Sequence, residues 1–268
     1  MSNNLSIFTT MTNPEERGDP WKEALDCYDS LADEVVVVGE EWPYEFKFDH
    51  IGKTFQEGFN KASGDWVIRM DLDYFFHEND FAKLKQILKK NIDSPSVAFP
   101  QYQFFTPDRF QVKTKLCIAL NKKYFPNIKL NGGGDLCMPT INNTQILNTS
   151  VPSYNIPVYQ YDSMFRTKST ISEDRARFAR AWYSQFKDWG DRGGPSEEEA
   201  FEAWFIMIKK RYAFHTNKIS MGKHPKFISS KLQNLKQEQF GYSAFGLQDI
   251  TKRDLKQYLK GYKDRYLV

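Results

Sequence analysis

Cysteine is scarce in this sequence, and long hydrophobic runs are absent. Cys27, Cys117 and Cys137 are odd in number and widely spaced, so neither a disulfide framework nor a CxxC metal site is predicted. The longest apolar stretches, VVVV at 35–38 and AWFIMI at 203–208, are far shorter than a membrane-spanning helix requires. No charged-then-apolar leader comes first. We expect a soluble cytoplasmic protein with reduced thiols and no transmembrane segment.

Three familiar site motifs are also missing: a Gly-rich dinucleotide fingerprint, a phosphate-loop lysine motif and a Gly-x-Ser-x-Gly elbow. What is present is a hydrophobic fraction of 40%, which is enough for the core of one large domain. Charge is uneven, because residues 1–80 hold 18 acids against 6 bases and residues 209–268 hold 14 bases against 4 acids. The basic end suits phosphates, anionic lipid or nucleic acid, although dispersed lysines more often form a solvated face.

The first hundred residues alternate between strand-like and helix-like patterns. Short β-rich runs at 5–11, 34–39 and 66–70 predict buried strands, and the segments between them have helical spacing. A helix at 78–91 and a strand at 96–104 continue the series. Strand, helix, strand implies parallel crossovers, so the fold class predicted is α/β.

Alternation fades after Pro107, and residues 107–162 are interpreted as loops and irregular strands. The rest of the chain is predicted to be helical. Ser172 is expected to begin one helix, Ser196 and Glu199 form a capping box for another, and a final helix follows at 255–262. We therefore divide the chain into a core at 1–170 and a helical region at 171–268.

Asp71 and Asp73 follow the predicted strand WVIRM directly. Ligands of open parallel sheets bind outside the carboxyl ends of the strands, and backbone alternation puts residues 71 and 73 on one side. Two carboxylates, with water and substrate phosphates as further ligands, describe a Mg²⁺ or Mn²⁺ site that serves a diphosphate. A bare Asp-x-Asp is more often a chance pair or a helix cap, so its surroundings must decide.

Those surroundings carry a resemblance. The segment GFNKASGDWVIRMDLDYFF, residues 58–76, resembles the central segment of family 2 glycosyltransferases of the GT-A fold. The pattern extends over residues 5–105 at the level of element order. It departs from the family at Phe55-Gln56, where Arg-Asn is common, and at Tyr74, where an acid is frequent.

The resemblance implies a GT-A (Rossmann-like), mostly parallel sheet flanked by helices, with a helical C-terminal extension at 171–268 that completes the acceptor side. It implies metal-dependent, inverting transfer of a sugar from a nucleoside-diphosphate sugar, of UDP or GDP type, to a hydroxyl acceptor. The acceptor would be a glycan, a lipid-linked molecule or a protein, and the cofactor would be Mn²⁺ or Mg²⁺. Peripheral membrane contact through the basic final helix would suit a lipid-linked acceptor.

The resemblance also implies roles for individual residues. The nucleotide and ribose would be bordered by the residues at the ends of the first two strands, a lysine of the next helix and the first aspartate: Thr9, Thr10, Glu40, Lys53 and Asp71. Asp71 and Asp73 would bind the metal, and a late histidine, His224 in the loop MGKHP, would complete its ligand set.

The base that deprotonates the acceptor should come from the second half of the chain. Asp162 is ranked first because its distance from the aspartate pair suits the family, and Asp135 in NGGGD is second. The pair Glu173-Asp174 is similar to a family motif, but acids after a Ser172 cap are explained by the helix dipole alone.

Two other functions remain open. A Mg²⁺-dependent sugar nucleotidyltransferase would use a similar sheet, yet residues 10–21 contain one glycine and more acid than base, unlike a triphosphate-binding loop. A non-catalytic carbohydrate- or nucleic-acid-binding module would use the aromatic residues and the basic end, but it has little need of a paired aspartate at a strand end.

Overall fold

The computed structural model of the protein describes residues 4–39, 44–131, 138–214 and 216–249. The predicted helix at 255–262 lies outside these residues. Eleven strands are described: β1 Leu5–Thr10, β2 Glu34–Val38, β3 Trp66–Arg69, β4 Tyr74–Phe75, β5 Ser96–Thr106, β6 Arg109–Asn121, β7 Lys129–Asn131, β8 Met138–Ile141, β9 Thr144–Gln145, β10 Val158–Gln160 and β11 Thr216–Lys218. The helices are α1 Pro14–Arg17, α2 Trp21–Leu31, α3 Phe48–Lys61, α4 Phe81–Lys90, α5 Lys168–Phe186, α6 Glu197–Phe214, α7 Lys226–Gln233 and α8 Phe240–Ser243.

The main sheet has the order β2-β1-β3-β6-β5-β10-β4, and β11 pairs with β6. Of the eight strands that the described residues contribute to it, β4 and β6 run against the other six. The predicted fold class is therefore confirmed: a mostly parallel, GT-A-like α/β sheet flanked by helices, followed by a largely helical region. The boundary at 170 stays a prediction.

Strand alternation distributes the core over both faces of the sheet. Leu5 and Ile7 of β1 pack into one cluster with α2, α4 and α7, whereas Phe8 packs into another with α3 and the small sheet β7-β8-β9. A Cβ added at Gly58 of α3 would collide with the Phe8 ring, so this glycine permits the close approach of α3 to β1. Burial on alternate sides of β1 thus explains why helices pack on both faces of the sheet.

The sequence interpretation was wrong in two places. Residues 109–121, expected to be irregular, form the long strand β6 that pairs with β3 and β5. The helix expected to begin at Ser172 begins at Lys168, where the Thr167 hydroxyl accepts a hydrogen bond from the Thr170 backbone N–H at 3.3 Å.

The capping box at Ser196 is confirmed. The Glu199 carboxylate accepts hydrogen bonds from the Ser196 backbone N–H at 3.2 Å and from its hydroxyl at 2.7 Å, and the Glu199 backbone N–H donates to that hydroxyl. This reciprocal pairing satisfies donors at the start of α6 that would otherwise lack a partner. None of the helices that the structure describes is long and apolar enough to cross a membrane.

Candidate active site

A cavity of about 460 Å³ opens at the carboxyl ends of β1, β3 and β10. Thr10 enters it from the end of β1, Asp71 and Asp73 from the residues after β3, and Asp162 from the residues after β10. Its far wall is made by α5 and α6. Chain segments that are distant in sequence therefore meet at the edge of the sheet where α/β proteins bind ligands.

Charge dominates the lining of this cavity. Among the described residues, it includes six acids and six bases: Asp19, Asp71, Asp73, Asp162, Asp174 and Asp191, together with Arg17, Lys113, Arg166, Arg175, Arg192 and Arg211. Aromatic rings of Phe46 and Phe55 lie on the same lining. A concave site with apolar walls and many polar groups suits a charged organic ligand.

Asp71 and Asp73 occupy a turn and do not continue the strand. The Tyr74 backbone N–H donates to the Asp71 carbonyl at 2.8 Å, and Leu72 between the two aspartates is buried. The Tyr28 hydroxyl lies 2.6 Å from the Asp71 carbonyl oxygen and 2.9 Å from that of Tyr74, so its single O–H is shared between the two ends of the turn. The two carboxylates share the cavity, as expected, although a turn and not an extended backbone brings them there.

The Asp73 carboxyl lies among other acids. Burial raises its pKa well above the ordinary value, and the charges of Asp162, Asp71 and Asp19 raise it further, against a smaller effect of Arg166. The Asp71 carboxylate is 3.9 Å from the Arg69 guanidinium. The turn thus holds more negative charge around Asp73 than its protein neighbours neutralise.

These residues fit a divalent metal of the Mg²⁺ type. Carboxylate oxygens are hard ligands, and a cation beside Asp73 would relieve the repulsion that raises its pKa. Among the residues described, no cluster of three or more His, Cys, Asp and Glu side chains is arranged to hold a metal alone. Mg²⁺ commonly uses one or two carboxylates, with water and substrate phosphates as its remaining ligands.

Asp162 is held by donors on both oxygens. Arg175 lies 3.3 and 3.2 Å from them, Gln103 donates at 3.1 Å and the Ser163 hydroxyl at 3.1 Å. Burial alone would raise the pKa of Asp162, but the cations Arg175, Arg166 and Lys113 lower it below its ordinary value. The carboxylate is therefore ionised at neutral pH and fixed in orientation.

A closed ring of ion pairs forms one wall of the cavity. Arg17 binds Asp19 at 3.1 Å and Asp174 at 3.0 Å, while Arg166 binds the other oxygens of both carboxylates, Asp174 at 3.0 Å. We call these four residues the ion ring. Burial opposes ionisation of Asp174, but Arg17 and Arg166 lower its pKa to about 2.

The ion ring was missed at the sequence level. Asp174 was explained there as an acid beside a Ser172 cap, yet α5 begins four residues earlier and the Asp174 side chain points into the cavity. The signal that pointed to it was its similarity to the family's Glu-Asp motif. Glu173 accepts a hydrogen bond from the Tyr44 hydroxyl at 3.0 Å and does not line the cavity.

Besides His224, two of the predicted site residues that the structure describes are not brought to the cavity. Thr9 is buried, and its hydroxyl has no hydrogen-bond partner among the described residues. Lys53 is exposed and pairs with Asp49 at 3.3 Å, one helical turn away. Glu40 and Asp135 lie outside the described residues. Thr10, Asp71, Asp73 and Asp162 are brought together.

His224 is engaged elsewhere, in an aromatic part of the core. Its Nε2–H donates to the Pro107 carbonyl at 2.7 Å, so its Nδ1 accepts from the Tyr161 hydroxyl at 2.8 Å. The side chain is buried beside Phe104, and burial lowers its pKa. Because both ring nitrogens already have protein partners, the structure gives His224 no free ligand atom for a metal at Asp73.

No protein-family model and no curated protein sequence matches this chain. Among solved structures it is similar to residues 1–349 of S. aureus TarS, with 11% identity, 79% of this chain and 72% of that chain covered, and a TM-score of 0.36. The complex of the same fragment with UDP-GlcNAc gives 10% identity, 79% and 73% coverage and a TM-score of 0.38. The complex of this fragment with UDP gives 11% identity, coverage of 79% of this chain and 72% of that chain, and a TM-score of 0.36.

Proposed function

We propose that this protein is a metal-dependent, inverting glycosyltransferase that moves a sugar from a nucleoside-diphosphate sugar to a hydroxyl acceptor. The observation that carries the proposal is the Asp71-Asp73 turn in a charged cavity at the carboxyl ends of parallel strands. The sequence resemblance at residues 58–76 gives independent support. The donor class is a UDP- or GDP-type sugar, and the acceptor is a glycan, a lipid-linked molecule or a protein.

The residues divide the work as follows. Asp73, with Asp71, would hold Mn²⁺ or Mg²⁺, which supplies Lewis-acid stabilisation of the departing diphosphate. Thr10 borders the donor, and the Phe55 ring, which carries the Arg69 guanidinium 4.9 Å from its centre, offers an apolar surface. The ion ring fixes a further part of the cavity wall.

Asp162 is the base in this proposal, since it is the candidate ranked first from the sequence and it lines the cavity. Asp174 also lines the cavity, but both of its oxygens are engaged by Arg17 and Arg166. It would accept the proton of the acceptor hydroxyl as the new glycosidic bond forms. Its lowered pKa keeps it ionised and ready at neutral pH, while Arg175 and Gln103 fix its direction. A strongly held carboxylate is a weak base, so positioning must contribute much of its effect.

Asp162→Asn is expected to lower kcat by roughly 10² to 10⁴ while leaving nucleotide binding within a few-fold. The amide keeps the shape of the side chain but cannot accept a proton. Single-turnover transfer and a separate nucleotide titration measure the two effects. Normal transfer in this variant would exclude Asp162 as the base; Asp174→Asn is unsuitable as a control because it opens the ion ring.

A thermal-shift screen of nucleoside diphosphates, nucleotide sugars and triphosphates, each with Mn²⁺ or with EDTA, tests the proposed function. A ligand that binds only the native state raises its stability by about 2.7 kcal/mol at 100 times its dissociation constant. We expect stabilisation by a UDP or GDP compound only when the cation is present. Stabilisation by triphosphates alone would favour the nucleotidyltransferase, and no response to any compound would favour a binding module.

A further inference from the structure

Four aromatic side chains lie together at the C-terminal end of α5, outside the cavity. We call Trp182, Tyr183, Phe186 and Trp189 the aromatic shelf. Tyr183 and Phe186 are 41% and 46% exposed, and both tryptophans are half-buried. Clustered exposed aromatic rings are unusual on a soluble surface and mark binding sites more often than isolated ones do.

The rings of the shelf are held in two pairs. Trp182 and Phe186 have centroids 4.3 Å apart, and Tyr183 stacks on Trp189 at 4.4 Å with an angle of 17° between the planes. The Phe48 ring of α3 packs against the Phe186 ring, with their centroids 5.9 Å apart. Rings packed in this way lose little conformational entropy when a ligand covers them.

The loop after α5 is also fixed. The helix ends at Lys187 in the left-handed conformation, and the chain returns beside its last turn, where Trp182 Nε1 approaches the Asp188 carboxylate at 3.5 Å. Gly193 has a φ of +84°, and a Cβ there would collide with the Glu199 carbonyl, so glycine is required. The shelf is therefore a defined surface.

The shelf is continuous with the cavity. The Arg192 guanidinium lies 4.5 Å from the Trp182 ring centre and 5.3 Å from that of Phe178, and Arg192 and Phe178 both line the cavity. Along α5, Arg175, Phe178, Trp182 and Phe186 follow at intervals of three or four residues and so share one face. This stripe runs about 16 Å along the helix, from Arg175, which binds Asp162, to the exposed C-terminal end.

We propose that the aromatic shelf binds a saccharide, and that it is the outer part of the acceptor site. The second clause rests on the proposed function. The apolar faces of sugar rings pack on flat aromatic rings, while their hydroxyl groups need donors and acceptors nearby. Asp188, Asp191 and Arg192 supply these groups at the edge of the shelf.

The charged residues around the aromatic shelf favour a saccharide as its occupant over a second copy of the protein or a lipid surface. Lys187, Asp188 and Asp191 are exposed between and beside the aromatic rings. The buried centre of a homodimer interface is depleted of charge, which argues against a second copy as the occupant. Anionic lipid surfaces attract basic residues, whereas this loop carries two aspartates beside its bases.

An immobilised panel of neutral, acidic and amino-sugar oligosaccharides, probed with the whole protein in EDTA and without nucleotide, tests the proposal. We expect at least one class to bind, and Tyr183→Ala/Phe186→Ala to weaken that binding at least tenfold. Tyr242→Ala removes an aromatic ring that is 51% exposed at another site and should change nothing. No binding to any glycan, or binding unchanged in the double variant, overturns the proposal.

Two further measurements distinguish saccharide binding from self-association and from the proposed function. Sedimentation of the wild type and the double variant tests self-association, and a dimer that becomes a monomer in the variant would overturn the saccharide assignment. Asp73→Asn should keep glycan binding in the same assay. Glycan binding without any response to nucleotides would support the aromatic shelf as a saccharide site and defeat the proposed function. A response to nucleotides without glycan binding would support the proposed function and defeat the saccharide site.

Discussion

Asp73→Asn is expected to stabilise the metal-free protein at pH 7 and to abolish cation-dependent nucleotide binding. The pKa of Asp73 is raised by burial and then by Asp162 and Asp71, so ionisation of this group costs the native state free energy. An amide of the same shape removes that cost. The variant should therefore unfold at a higher temperature than the wild type in EDTA at pH 7.

The sign of the pH dependence follows from linkage. Because the native pKa of Asp73 lies above its unfolded value, the native state binds more protons between these two values. Its stability therefore falls as pH rises through that interval, and the asparagine variant escapes this loss. Denaturant unfolding in EDTA at several pH values above about 4 should show the variant gaining on the wild type as pH rises.

Addition of Mn²⁺ should make the wild type more stable than Asp73→Asn. A cation bound at Asp73 stabilises the wild type by mass action, whereas the variant has lost a ligand and should bind metal roughly 100-fold more weakly. Asp65→Asn provides the control, because Asp65 pairs with Lys123 at 2.9 Å away from the cavity. A variant of Asp73 that is less stable in EDTA and still responds to Mn²⁺ would contradict both the charge argument and the metal assignment.

The parts of the molecule that the sequence predicted are those that local pattern determines. Continuous apolar runs predicted β1, β2 and β3, and the position of Asp71 and Asp73 after β3 predicted their meeting at the sheet edge. Strand β6 was missed although Phe110, Val112, Leu116, Ile118 and Leu120 lie at even spacing. Its polar alternate residues and the absence of a preceding helix concealed a strand that reverses direction within the sheet.

The remaining site residues depend on contacts between distant segments. Arg17 and Asp174 are 157 residues apart, and Asp19 and Arg166 are 147 apart, so no local spacing joins them. The position of His224 also depends on distant contacts. Its loop was predicted from glycine and proline, but nothing local indicated that the ring points into the core, towards Tyr161 and away from Asp73.

Arg166→Met is expected to lower the free energy of unfolding by about 3–5 kcal/mol, the usual result of removing one partner from a buried ionic group. Arg166 is buried and its guanidinium is shared by Asp19 and Asp174, so methionine removes one of the two ion-pair partners of each carboxylate and leaves Arg17. Arg180→Met is the matched control. It breaks a pair with Glu45 that is far more exposed, and should cost less than about 1 kcal/mol.

Acid unfolding tests the contribution of the carboxylates to the ion ring. The pKa of Asp174 is about 2 in the native state, below its unfolded value, so its contribution to stability is complete above about pH 4 and is lost as pH falls towards 2. Without Arg166 the native pKa should rise, and the acid-unfolding midpoint should move to higher pH. Arg166→Lys keeps the charge but cannot bridge two carboxylates, and should fall between the wild type and methionine.

An Arg166→Met variant as stable as the wild type would show that the ring contributes no net stability. Its buried charges would then serve to fix the geometry of the cavity wall. Nucleotide binding decides between these cases, because the ring joins the segment after β1 to the start of α5 along the wall of the cavity. A stable variant that binds nucleotide normally would leave the ring without a role in the site, since neither folding nor binding would depend on it.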